Sequence, residues 1–328
     1  MQPKVSPTLS IVIPLFNEEK LVQELVQRLV RSCRGLKVPF EVVVVNDGSR
    51  DTTLQRLVAL SGDVQELRVV DLYRNFGHMA ALSAGLALAR GKAILTMDGD
   101  LQDPPELIPK LFSHWQEGAD VVYGLRTARE ESPLQRLGTQ LFYWLLSKVS
   151  ETEIPKQVGT FGLMDRKILD LLNRMPERDR FFAGLRAWLG GKQSFVPYER
   201  PDRPFGKSRV GLEGLFRLAR TALTSFSKVP LRYASSLSLI FGFSLFLLGL
   251  FAILIRLFTN LAIPGWATYT TLLGMMGFVQ SLLLAILSEY VAVIFDEVKG
   301  RPLFLVRQEF NDGRPREGQG LEAARDPL

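Results

Sequence analysis

Ala93-Ile94-Leu95-Thr96-Met97-Asp98-Gly99-Asp100-Leu101-Gln102-Asp103-Pro104-Pro105 is the stretch on which the fold turns. Five uncharged residues read as a buried strand, and the strand runs directly into two acids on alternate positions. Gly99 between them lets the backbone turn tightly. Neighbouring carboxylates repel unless a cation or protons sit between them. A hard divalent ion such as Mg²⁺ or Mn²⁺ takes oxygen ligands and can bridge to phosphates. A bare Asp-x-Asp is more often a solvated acidic turn, so its surroundings decide between the two readings.

Outward from that stretch, strand and helix alternate. Leu9 to Pro14 reads as a strand, and Asn17 then caps a helix with Glu18 and Glu19 in its first turn. Leu21, Val22, Leu25, Val26 and Leu29 give that helix an apolar face. Phe40 to Val45 is a β-branched strand ending at Asn46-Asp47-Gly48-Ser49, with Asp51 placed to cap the next helix. Val69 to Leu72 and Asp120 to Gly124 are further strands, and His78 to Arg90 is a helix ended by Gly91. Continuous apolar strands separated by helices predict an α/β fold with a mainly parallel sheet covered on both faces.

Ligands of such sheets sit at the carboxyl ends of the strands. The residues there are Phe16-Asn17-Glu18, Asn46-Asp47-Gly48-Ser49, Arg74 to His78, Asp98-Gly99-Asp100 and Gly124-Leu125-Arg126. They are polar, acidic or glycine-rich, and they converge on one edge, which favours the metal reading of Asp98 and Asp100. Asp47 suits either ordinary turn chemistry or a nucleotide base. Glu18 suits a helix start or a ribose hydroxyl. No Walker sequence and no Gly-x-Gly-x-x-Gly occurs, and His78, His114 and Cys33 are too few for a zinc site.

The 328 residues predict about two domain-sized units. Hydrophobic residues make up 47% and charged residues 23%, but the charge is absent from Ala234 to Ser288 apart from Arg256. That asymmetry argues against a purely soluble protein and against a polytopic transporter. Ala234 to Ile255 and Thr268 to Ile294 each suffice to cross a hydrocarbon core of roughly 30 Å. Pro264-Gly265 turns the chain between them, and Trp266 and Tyr269 suit a membrane interface. Lys207, Arg209, Arg217, Arg220, Lys228 and Arg232 precede the first span, and Lys299, Arg301 and Arg307 follow the second. By the positive-inside rule both ends face the cytoplasm.

The expected organisation is a catalytic domain over 1–205, an amphipathic interfacial segment over 206–232, a two-helix hairpin over 233–295 and a cytoplasmic tail over 296–328, polar and flexible after Arg307. The net charge of +6 clusters beside the spans, which fits a phospholipid surface and not nucleic acid. One cysteine excludes an internal disulfide. Leu9 to Phe16 is short, broken by Pro14 and followed by charge, so no signal peptide is expected.

In order, Ser10 to Glu19, Val45 to Ser49, Leu72 to Gly77, Met97 to Glu106 and Met164-Asp165-Arg166 resemble the inverting GT-A glycosyltransferases of family 2. The resemblance is greatest to polyprenyl-phosphate glycosyltransferases such as dolichyl-phosphate mannose synthases and bactoprenol glucosyl transferases. It implies that Pro14, Phe16, Asn17, Glu18, Asp47 and Asp98 bind the nucleotide. It implies that Asp98, Asp100 and Gln102 hold Mg²⁺ or Mn²⁺ with the diphosphate, and that Arg126, Arg136, Arg203, Ser208 and Arg209 gather acceptor and phosphate charge. Asp100, Asp103 and Arg126 are the implied catalytic set.

The partners implied are a nucleotide sugar, a polyprenyl phosphate and the bilayer of a bacterial inner membrane, with a homo-oligomer, a tetramer included, among the assemblies. UDP-glucose is favoured over GDP-mannose, UDP-galactose and UDP-N-acetylglucosamine because the two-span layout resembles the bactoprenol enzymes. Gly99 replaces the usual Ala, and Arg209 replaces the usual Lys. Thr160 and Gly162 stand where many relatives carry Asp and Arg. A missing general base matters little to an acceptor phosphate whose second pKa is about 6, because it is already an anion. A processive polysaccharide synthase would carry more spans and a Gln-x-x-Arg-Trp segment, neither of which is seen. A non-catalytic nucleotide-sugar-binding membrane protein is the other reading that Thr160 and Gly162 keep open.

Overall fold

A computed structural model describes residues 6–127, 158–199 except 176, 179 and 181, a set of single helical positions between 236 and 258, and 265–316. The nine strands of the described residues form one sheet: β1 Leu9–Leu15, β2 Phe40–Asn46, β3 Leu67–Leu72, β4 Ala93–Thr96, β5 Val121–Arg126, β6 Val158–Asp165, β7 Gln193–Tyr198, β8 Val306–Asn311 and β9 Arg314–Arg316. Their spatial order is β7-β5-β6-β4-β1-β2-β3-β8-β9. The helices are α1 Val22–Arg34, α2 Thr53–Asp63, α3 His78–Leu88, α4 Ile108–Gln116, α5 Arg166–Arg174, α6 Phe182–Leu189 and α7 Trp266–Val298.

The centre of the sheet is parallel: β1 pairs with β2 and β4, and β2 with β3. The flanks correct the expectation of a mainly parallel sheet. β6 runs antiparallel to both β4 and β5, β8 runs antiparallel to β3 and β9, and only β5 with β7 is parallel outside the centre. Alternation sends Ile11 and Ile13 to one face and Val12 to the other. The first face packs on α1 and α4, the second on α3, α5 and α6. The result is a three-layer α/β/α core.

Two local readings also change. Asn17 does not cap α1: it lies at φ 53°, and the helix begins five residues later at Val22. The helix after β3 ends at Leu88, short of Gly91.

α7 is 33 residues long, and its stretch Met275–Val298 has mean hydropathy 2.0 with none of it buried. Among the described residues it is the one helix long and apolar enough to cross a membrane. Of the other expected span, the described positions are helical, and Ile240, Phe243, Leu247, Phe251 and Leu254 are exposed. The amphipathic segment 206–232 lies outside the described residues.

The tail expected to be flexible after Arg307 is instead strand as far as Arg316. Gly300 at φ 63° ends the helix. Phe304 is buried, and β8 pairs along β3 from Leu72 opposite Val306 to Arg68 opposite Asn311. Alternating Val306-Arg307-Gln308-Glu309-Phe310-Asn311 supplies an edge strand, with Phe310 packed on the core. Because β8 is antiparallel to β3, it is entered at the carboxyl edge of the parallel strands. Arg178 holds the same junction: its side chain donates to the Asp296 carbonyl at 2.8 Å and its N–H to Glu297 Oε2 at 3.3 Å. A cation beside the last carbonyls of a helix is favourably placed.

Candidate active site

Two loops at the carboxyl edge are laced together. The Asn17 N–H donates to Ser49 Oγ at 3.0 Å, and Asn17 Oδ1 accepts from the Arg50 N–H at 2.8 Å. The Glu18 N–H donates to Thr53 Oγ1 at 3.0 Å. Glu19 Oε2 accepts from the Thr52 hydroxyl at 2.6 Å and from its N–H at 3.1 Å, which holds the Glu19 carboxyl below its ordinary range. Asp51, expected as a cap, bonds both Thr53 and the Glu19 N–H. Pro14 is buried in β1, while Phe16, Asn17 and Glu18 are half-buried at the rim.

Asp47 is buried, with its carboxylate under the start of α3. Oδ1 accepts from the Phe76 N–H at 2.7 Å and Oδ2 from the Gly77 N–H at 3.0 Å. Burial outweighs these bonds and raises its pKa. Gly48, at φ 63°, has no room for a side chain: a Cβ would stand 2.5 Å from the Arg74 carbonyl carbon. That close approach brings the β2 and β3 edge loops together.

The acids after β4 occupy the middle of this edge, both half-buried. Asp98 Oδ1 accepts from the Thr160 hydroxyl at 2.9 Å and lies 3.3 Å from His78 Nε2. Burial draws the His78 pKa down, but the bond to Asp98 and the charges of Asp98, Asp47 and Asp100 outweigh it, leaving a net rise. Asp100 Oδ1 accepts from the Gln102 N–H at 3.1 Å, across Leu101 at φ 60°. A Cβ at Gly99 would meet the end of the Leu15 side chain, so a larger residue between the two acids needs Leu15 to shift.

Asp103 points inward and is fully buried. It accepts from the Tyr198 hydroxyl at 2.7 Å and from the Asp98 N–H at 3.3 Å. The Tyr198 hydroxyl in turn accepts from Arg126 Nε at 3.3 Å. Burial followed by the Asp103 charge raises the Tyr198 pKa well above its usual value. Asp103 therefore ties the loop of Asp98 to the end of β5, a positioning place and not an exposed base. The Arg126 guanidinium lies against Gly159, whose missing side chain leaves it room.

The edge thus gathers Phe16, Asn17, Glu18, Asp47, Asp98, Asp100, Gln102, Asp103 and Arg126. Arg136, Arg203, Ser208 and Arg209 lie outside the described residues. Three members had no assigned role in the sequence: His78, Thr160 and Tyr198. His78 directly follows the Arg74 to Gly77 edge block, a signal that was available. Thr160 stood out only as a departure, and nothing in the sequence marks Tyr198.

Among the described residues no three His, Cys, Asp or Glu side chains form a metal cage. Two carboxylates on one loop still fit Mg²⁺ or Mn²⁺, because such ions are commonly held by one or two carboxylates together with substrate phosphates and water.

Fold and site together define an α/β protein with two half-buried acids, Asp98 and Asp100, at the carboxyl edge of its sheet. Residues 10–172 match the model of glycosyl transferase family 2. A prophage bactoprenol glucosyl transferase homolog of Escherichia coli is 35% identical over 302 residues, covering 92% of this chain and 98% of its own. The bactoprenol glucosyl transferase of Shigella phage SfII is 36% identical over 303 residues, covering 92% and 97%. An uncharacterized glycosyltransferase of Synechocystis is 38% identical over 299 residues, covering 91% and 94%. The chain belongs to glycosyl transferase family 2, and it is a glycosyltransferase. Glucosyl-3-phosphoglycerate synthase of Mycobacterium tuberculosis, solved with Mn²⁺ and UDP, aligns with 66% of this chain and 76% of its own at 20% identity and a TM-score of 0.49.

Proposed function

We propose that the protein transfers glucose from UDP-glucose to a polyprenyl phosphate at the cytoplasmic face of a bacterial inner membrane, inverting the anomeric carbon. The observation that carries this reading is the meeting of two features at one edge. The acids Asp98 and Asp100 end β4 there, and the chain leaving the apolar helix α7 enters β8 there. A water-soluble donor and a lipid-borne acceptor need that arrangement. Relatives named bactoprenol glucosyl transferase, matched over nearly their whole length, supply the choice of sugar and acceptor.

The first two edge loops and Asp47 frame the nucleotide, with Pro14, Phe16, Asn17 and Glu18 at its base and ribose. Asp98, Asp100 and Gln102 face its diphosphate. These groups would hold a divalent ion, which would supply screening for the charge of the departing diphosphate. Arg126 gathers phosphate oxygens, which guanidinium binds in pairs, and Arg136, Arg203, Ser208 and Arg209 serve the acceptor. Asp103 keeps the acid loop and Arg126 in register through Tyr198. The acceptor phosphate is already anionic at neutral pH, so it attacks without a carboxylate base at position 160. Thr160 instead donates to Asp98 and keeps that carboxylate oriented. Two spans, with both termini in the cytoplasm, anchor the enzyme, and homo-oligomers up to a tetramer are compatible with this layout.

The test is incubation of the full-length protein in lipid with labelled UDP-glucose, UDP-galactose, UDP-N-acetylglucosamine or GDP-mannose, undecaprenyl phosphate and Mg²⁺ or Mn²⁺. Lipid-linked glucose is expected. Polymer, or no lipid product from any donor, rejects the reading.

A further inference from the structure

Arg186 on α6 is fully buried, yet no carboxylate of the described residues faces it. Its guanidinium carbon lies 4.9 Å from the Tyr123 ring centre and 4.7 Å from that of Phe182. One nitrogen, Nη2, donates to the Gly159 carbonyl. Nε and Nη1 have no partner, and neither does the buried Tyr123 hydroxyl. Burial draws the Arg186 pKa down to about 10, with Tyr123 opposing it weakly. A buried cation with one hydrogen bond and no counter-ion opposes folding, because its desolvation is not repaid by a neighbouring charge.

The surroundings are shaped to hold it. Gly162 contributes no side chain, and a Cβ there would stand 3.0 Å from Arg186 Nη1. The carbonyl that Arg186 grips belongs to the peptide plane joining Gly159 to Thr160. Thr160 is the residue whose hydroxyl reaches Asp98. On the opposite side of Gly159 lies the Arg126 guanidinium. The single bond Arg186 makes is therefore linked to Asp98 through one residue, Thr160.

We propose that Arg186 is a positioning residue for Asp98, retained at the expense of stability: it fixes the Gly159–Thr160 peptide so that Thr160 holds Asp98 in its metal-binding orientation. The inference rests on the assignment of Asp98 given above. It separates fold from site in an unusual direction. A residue kept for packing weakens the protein when removed, whereas removal of this one leaves the protein as stable or more so and damages the site.

The test uses full-length protein in lipid nanodiscs with Arg186→Met, which keeps apolar bulk, and Arg186→Lys, which keeps the charge. Thermal unfolding, Mn²⁺ binding by electron paramagnetic resonance, and kcat and KM for the donor are measured. Expected for Arg186→Met is an unfolding temperature equal to or above wild type, Mn²⁺ binding weakened at least fivefold and kcat lowered at least tenfold. Arg186→Lys should fall between wild type and Arg186→Met in Mn²⁺ binding. Failure of Arg186→Met to fold, or a lower unfolding temperature, overturns the proposal, and so does wild-type Mn²⁺ binding in that variant. A wild type that binds Mn²⁺ but transfers no sugar would defeat the proposed function while the binding comparison still decides this one.

Discussion

Arg68 and Arg186 are both buried against the same sheet, and their surroundings are opposite. Arg68, on β3, donates to Glu41 Oε2 at 2.6 Å and to Glu309 Oε1 at 3.0 Å, with a further bond to the Leu88 carbonyl. Glu41 is in turn bonded by the Ser10 hydroxyl and the Arg90 N–H. This network lies toward the amino ends of the parallel strands and clasps β8, a strand more than two hundred residues away in sequence, to the centre of the sheet. Arg186 lies beside β6, toward the carboxyl edge, with one bond and no acid among the described residues. Where the fold is closed, charge is matched; where the acids of the site are positioned, a charge is left unmatched. Strain tolerated beside a site and removed elsewhere is the usual division in enzymes, and it predicts that variants at the two regions fail in different ways.

The largest effect expected is at the carboxyl edge. Asp98→Asn with Asp100→Asn should lower glycosyl transfer by about a thousandfold or more, because the charge of the leaving diphosphate loses its screen. Its unfolding temperature should stay near wild type, as both side chains are half-buried at the rim. Retained transfer in this variant would remove the acids from the mechanism. Glu309→Ala should do the reverse. Removing one partner of a buried ion network costs about 3 to 5 kcal/mol, read as a lower denaturant midpoint, with transfer per folded molecule unchanged. A catalytic loss without a stability loss would erase the distinction between the two regions. Between them stands Thr160→Val, which keeps the shape of the side chain and deletes the hydroxyl that donates to Asp98. A hydrogen bond to a charged group is worth about 1.5 to 3 kcal/mol, so kcat should fall at least about tenfold, with a smaller change in unfolding temperature.

The legibility of these two regions in the sequence also differs. β1 to β4 announce themselves by apolar runs such as Val42 to Val45, and the carboxyl-edge rule then brings Asp47, Asp98 and Asp100 together without coordinates. β6 and β8 do not. Val158-Gly159-Thr160-Phe161 has neither a continuous apolar run nor clean alternation, and β8 follows an apolar helix whose end obscures it. Their pairing is antiparallel and long-range, decided by what the open sheet edges can accept and not by local periodicity. The helix start after β1 differs from the sequence expectation for a related reason. Asn17 has the chemistry of a cap, but Ser49 and Arg50 engage it from the next loop, so a tertiary contact overrides the local preference. Burial of Asp103 and Arg186 is likewise beyond a single sequence, because charge in the chain says nothing about which charges the fold encloses.

Arg28 supplies the exposed counterpart to the two buried arginines, and the smallest effect expected. It meets Glu106 through two bonds, Nε to Oε1 at 2.9 Å and Nη2 to Oε2 at 2.8 Å, joining α1 to the turn that follows the acid loop. The bond from Arg28 is the leading reason the Glu106 carboxyl is held below its ordinary range. A carboxyl depressed in the folded state adds stability above its unfolded pKa of about 4.3, and that contribution is lost as the pH falls through the folded value. With Glu106 more than half exposed, solvent and salt screen the pair, so Glu106→Gln should cost under about 1 kcal/mol at pH 7. The difference from wild type should shrink in high salt and vanish in acid, measured as denaturant midpoints from pH 7 down to pH 3. A loss as large as that of Glu309→Ala would mean that the tether between α1 and the acid loop supports the fold as strongly as the buried clasp at β8, and burial would no longer explain why the arginines of this sheet differ.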